Sequence, residues 1–113
     1  MDQLMMTNQF DTEELKLIIV SKLKALSPTK IILFGSYAYG VPSVDSDLDI
    51  CVIKKELKSK AIEKKEIRNL LKDILIAKDI LVSSEKEFDF YSQQIGSVYM
   101  DINKKGVVLW PSS

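Results

Sequence analysis

Lys30-Ile-Ile-Leu-Phe34-Gly35-Ser36 and, ten residues later, Asp47-Leu-Asp49-Ile-Cys-Val-Ile53 are the stretches whose reading decides the fold. Residues 30–34 are a short apolar, partly β-branched run halted by glycine, the pattern of a buried strand. From Asp47 the sequence alternates and then turns wholly apolar, which predicts a central strand with one end at a polar site. Residues two apart in a strand share a face, so Asp47 and Asp49 project one way while Leu48 and Ile50 project the other. Two carboxylates are therefore expected side by side, just beyond a glycine turn.

Outward from these strands the pattern changes period. Upstream, Leu15, Ile18, Ile19, Leu23 and Leu26 recur at helical spacing, with Asp11 as N-cap, Glu14 at the capping-box position and an end before Pro28. Downstream, residues 59–75 carry Ile62, Ile67, Leu70, Leu71 and Ile74 among lysines and glutamates, predicting an amphipathic helix that crosses back to the sheet. Asp79 to Val82 reads as a third strand. Ser84 and Glu87 open a last helix whose apolar face is Phe88, Tyr91, Ile95, Val98 and Ile102, ended by Gly106; Val107 to Trp110 reads as a short closing strand. The expected fold is α/β (α+β), a small mixed sheet of three to four strands with helices packed on it. With no repeat, linker or low-complexity segment, residues 1–113 are expected to form one domain.

Composition narrows the chemistry. Apolar residues make up 46% and charged residues 28%, as in soluble globular chains. Sixteen basic and sixteen acidic side chains cancel, so no global field draws the chain to nucleic acid or to an anionic membrane. No stretch reads as a signal peptide or a membrane helix, and a cytoplasmic location is the expectation. There is no histidine and one cysteine, Cys51, which removes Ser-His and Cys-His nucleophile pairs, the usual zinc ligands and any internal disulfide. Carboxylates and metal ions remain.

If Asp79 pairs beside the second strand, a third acid joins Asp47 and Asp49. Like charges roughly 6 Å apart repel by about 3 kcal/mol at an effective dielectric near 20, so such a cluster calls for a cation or a proton. Hard oxygen ligands with open positions suit Mg²⁺ or Mn²⁺ held jointly with substrate phosphates. Gly35 and Ser36 follow the first strand, where a glycine allows close backbone approach and a short helical turn aims N–H groups at a phosphate. Asp45 is read as ordering the loop, Asp73 as a helix residue and Cys51 as a small core residue. The lysines of residues 54–72 interleave with Glu56, Glu63 and Glu66 and read as a solvated face. Tyr37 and Tyr39 either stack on a nucleobase or pack the turn, and the sequence does not separate the two.

Gly35-Ser36, ten residues, Asp47-x-Asp49 and a lone acid opening Asp79-Ile-Leu-Val together resemble the polymerase-β nucleotidyltransferase superfamily. The short chain and its ending Gly106-Val-Val-Leu-Trp110 resemble the minimal nucleotidyltransferases within it. The resemblance implies that Asp47, Asp49 and Asp79 are catalytic and hold two Mg²⁺ ions, with Mn²⁺ an alternative, while Gly35 and Ser36 bind the β and γ phosphates of an NTP, ATP being the expected donor. It also implies a partner. Minimal nucleotidyltransferases of this kind resemble antitoxins paired with a HEPN ribonuclease toxin, some of which they inactivate by adding AMP to a tyrosine. The alternatives are an antitoxin acting by contact alone and transfer to a small molecule; a nucleic-acid acceptor is not expected for a neutral chain.

Overall fold

The computed structural model describes residues 12–43 and 45–111. Helix α1 (Thr12–Leu23) continues as a 3-10 turn (Lys24–Leu26), and Ser27 in the left-handed region closes it before Pro28. The expected cap Asp11 lies outside the described residues. Strand β1 (Lys30–Phe34) leads into the one-turn helix α2 (Ser36–Tyr39) and, after a loop, strand β2 (Leu48–Lys54). Helix α3 (Lys60–Leu70) crosses over to strand β3 (Lys78–Ser84). Helices α4 (Glu85–Tyr91) and α5 (Val98–Lys105) then precede strand β4 (Val107–Trp110).

The four strands form one mixed sheet in the order β3-β2-β1-β4. β1 runs antiparallel to both β2 and β4, whereas β2 and β3 are parallel, as the α3 crossover requires. Strand alternation divides the core between the two faces. Ile31, Leu33, Leu48, Ile50, Val52, Ile80 and Val82 pack with Leu15 and Ile19 of α1 and Ile67 of α3. On the other face a smaller cluster joins Ile32, Cys51 and Ile53 to Phe88 of α4 and Ile102 of α5. Asp49 lies two residues before Cys51 and therefore belongs to this second face, beyond the part that α4 and α5 cover. Among the described residues no helix is long and apolar enough to cross a membrane.

Two helical expectations need correction. The single last helix is two helices, broken across residues 92–97. Gly96 has φ 85°, which ends regular helix. Ser97 restarts it, its Oγ accepting from the Met100 N–H at 3.0 Å and donating to the Tyr91 carbonyl at 2.6 Å. Ile95, assigned to the apolar face, is 94% exposed in that break. The crossover helix stops at Leu70 rather than running to residue 75, and its inward face is rotated. Ile62 is exposed and Glu63 is buried, because Glu63 and Ile67, together with Leu71 just beyond the helix, are the residues one turn apart that face the sheet.

Glu63 is held by Lys54, whose Nζ lies 3.0 Å from its Oε1. Removing one partner of a buried pair strands the other charge in a poorly solvated site. Lys54→Met should therefore lower stability by about 3 kcal/mol, and a Lys54→Met/Glu63→Leu double variant should recover most of that loss. Urea unfolding of the three proteins checks this; equal losses in single and double variants would show that the charge of Glu63 needs no partner.

Candidate active site

The parallel register sets Asp49 of β2 directly beside Asp79 of β3, and Leu48 beside Lys78. Neighbouring strands lie about 4.8 Å apart, so side chains at paired positions on one face meet. Asp47 immediately precedes β2, where the Leu48 N–H donates to the Ala77 carbonyl at 2.8 Å and ties the two strand entrances together. Asp47 and Asp79 are exposed and Asp49 is half-buried. Lys78, one residue from Asp79, does not neutralise the acids. Its ammonium donates to the carbonyls of Ile74 at 2.6 Å and Ile76 at 3.1 Å, and burial together with Arg68 lowers its pKa.

From the other side, β1 places its last residue, Phe34, opposite Asp49. Gly35 follows with φ 73° and ψ −159°, a conformation essentially confined to glycine. A Cβ built at Gly35 would fall inside contact distance of Asp49 Oδ2, so the missing side chain is the space the carboxylate occupies. The sequence pointed to Gly35 for approach to a phosphate. It did not show that the glycine also seats Asp49, which only the antiparallel β1–β2 register reveals. Gly35→Ala should thus be destabilised by about 1–3 kcal/mol through the strained backbone alone. It should also lose activity beyond what its melting temperature explains; a variant of unchanged stability and activity would show that the loop simply moves aside.

Ser36 begins α2, whose Tyr39 N–H returns to the Gly35 carbonyl at 3.2 Å and Gly40 N–H to the Ser36 carbonyl at 3.0 Å. The first N–H groups of such a turn have no partner within it and remain free to meet an anion. The two tyrosines separate here: Tyr37 is buried in the larger core cluster and packs the turn, whereas Tyr39 is exposed. The loop between α2 and β2 is ordered by Ser43 and Ser46, each donating a backbone N–H to the other residue, and the Asp45 N–H reaches Ser43 Oγ at 3.4 Å. Asp73 lies beyond α3, 3.8 Å from Lys22, and Cys51 is buried with its thiol pushed up to about 12, chiefly by burial and then by Glu87. Neither belongs to the site.

The donor chemistry fits a hard divalent cation. Burial, then the charges of Asp79 and Asp47, push the Asp49 carboxyl up to about 6. A cation would relieve all three causes of strain on the ionised form that arise from its neighbours and its setting. Among the described residues no three ligand-type side chains are already gathered for a metal ion, so the aspartates would have to close on one. Because the folded carboxyl holds its proton above the ordinary 3.8, Asp49 contributes stability at acid pH that is lost as pH rises toward about 6. In metal-free protein, Asp49→Asn should consequently raise the melting temperature near pH 7.5 and change it little near about pH 4. Added Mg²⁺ should stabilise the native chain more than the variant. Identical responses to pH and Mg²⁺ in thermal melts would remove the acid cluster from the account.

Known proteins bear on this geometry. Residues 13–108 match the pattern of the Nucleotidyltransferase domain family, and the chain belongs to that family. Among solved structures, a protein of Sulfolobus solfataricus provisionally assigned as a nucleotidyltransferase superimposes with a TM-score of 0.57 at 22% identity, over 88% of this chain and 78% of that one. The toxin-antitoxin pair MntA-HpeT, solved as a mutant with two Asp→Glu replacements, gives a TM-score of 0.56 at 15% identity, over 92% and 76%. At such identities the shared property is the fold. No curated protein sequence gives a significant match.

Proposed function

We propose that this chain transfers AMP from ATP to a hydroxyl of a partner protein, a tyrosine of a HEPN ribonuclease toxin, and so acts as that toxin's antitoxin. The observation that carries the catalytic part is the in-register pair Asp49 and Asp79 beside Gly35, in a chain of the nucleotidyltransferase family. The partner part draws support from likeness in fold to the MntA-HpeT toxin-antitoxin pair.

In this reading Asp47, Asp49 and Asp79 hold Mg²⁺, as two ions, with Mn²⁺ able to substitute. Bound there, the metal supplies electrostatic stabilisation of charge on the α-phosphate and its leaving group. Gly35 and Ser36 hold the β and γ phosphates through backbone N–H groups and the serine hydroxyl, fixing the triphosphate so that its α-phosphorus faces the acids. The acceptor oxygen forms a bond to that phosphorus, the bond to pyrophosphate breaks, and the hydroxyl proton leaves to solvent. No histidine is present to act as base, and none is required by a mechanism that relies on position and charge.

The test is direct. The chain is incubated with Mg²⁺, ATP and the product of the adjacent gene, and both proteins are weighed by intact mass spectrometry. The partner should gain one or more AMP units, and the gain should vanish with Asp47→Asn. A stable complex of unchanged masses would replace transfer with neutralisation by contact.

A further inference from the structure

Tyr37 is the centre of the turn that carries Gly35 and Ser36. The residue is only 4% exposed and belongs to the apolar cluster that includes Leu15, Ile19 and Leu33. Its hydroxyl oxygen is buried with it and has no hydrogen-bond partner among the described residues. A tyrosine buried in a core normally spends its hydroxyl on a nearby acceptor, because an unmade hydrogen bond in such a place is costly. Burial also raises the pKa of this phenol, so ionisation offers no relief.

The surrounding turn is tied mainly to itself. Ala38 and Tyr39 donate to the Gly35 carbonyl and Gly40 to the Ser36 carbonyl, all within six residues. A glycine stands at each end, and Tyr39, Gly40 and Val41 are exposed. The inserted ring is therefore the main anchor of the turn, and that anchor carries a built-in penalty at its tip.

We propose that Tyr37 makes the Gly35–Gly40 turn a two-position element: packed, with the ring inserted and Gly35 closed on Asp49, or lifted, with the hydroxyl in water. Lifting withdraws Gly35 from the carboxylate it touches, so the turn governs access to Asp49. That consequence rests on the nucleotide-transfer reading, whereas the opening itself does not.

Hydrogen-deuterium exchange of the full chain, without metal, nucleotide or partner, tests the opening on native protein and on Tyr37→Phe. Phenylalanine keeps the ring and removes the orphan oxygen. The hydrogen-bonded amides of Ala38, Tyr39 and Gly40 should exchange about tenfold more slowly in the variant, while those of β2 stay unchanged. Equal or faster exchange in the turn overturns the proposal, since it means the hydroxyl is satisfied where it lies, for instance by an enclosed water. Equal slowing in β2 also overturns it, because the gain is then global stability and the turn has no opening of its own. As no nucleotide is present, this result stands apart from the mass measurement on the partner, and either can fail alone.

Discussion

A half-buried carboxylate, Asp49, set beside two other acids is the constraint on which the open end of this sheet depends. Asp49 is half-buried and also feels Asp79 and Asp47, an unfavourable setting for an ionised group. The backbones of Asp49 and Asp79 cannot separate without losing the sheet, because the two residues occupy paired positions in a ladder whose alternate residues are core. The opposition is therefore structural, held by packing on the far face. A proton relieves it below about pH 6, and above that the hard oxygen donors would suit a divalent ion.

Each strand makes a different contribution. β1 is antiparallel to β2, so its C-terminal end meets the N-terminal end of β2 and delivers Gly35 to Asp49. β3 is parallel to β2, so both bring their starting ends, and with them Asp49 and Asp79, to that same edge. α4 and α5 cover only the rest of that face, around Cys51 and Ile53. At the covered end the charges are paired: Lys60 meets Glu87 at 2.5 Å, and Ser83 Oγ lies 3.3 Å from the other Glu87 oxygen. One sheet face thus has a sealed half, where Lys60, Ser83 and Glu87 are paired, and an open half, where the acids meet solvent.

Much of this was legible in the sequence because it depends on period. Alternation at Asp47–Ile50 pointed to a strand with acids on one face, and short apolar runs located β1, β2 and β3 within one or two residues. Less visible were features set by one residue's conformation or by tertiary choice. Gly96 splits an apparently continuous apolar helix, yet a lone glycine in such a pattern is also compatible with an unbroken one. Glu63 faces inward although charged, because Lys54 at the end of β2 waits there, and no local rule links residues nine apart. Tyr37 and Tyr39 look alike in the sequence; only the direction of a single helical turn sends one into the core and the other into solvent.

The pairing of β2 with β3 has a consequence for fidelity. Side chains alternate strictly, so a slip of one residue would set Ile80 against Asp49 and at the same time drag Asp79 toward the buried layer of Ile50 and Val52. The hydrophobic layer therefore works as a proofreader for the acids. Any chain whose core has closed correctly has also brought Asp49 and Asp79 abreast, and a molecule with misaligned chemistry betrays itself as a molecule that has not finished folding.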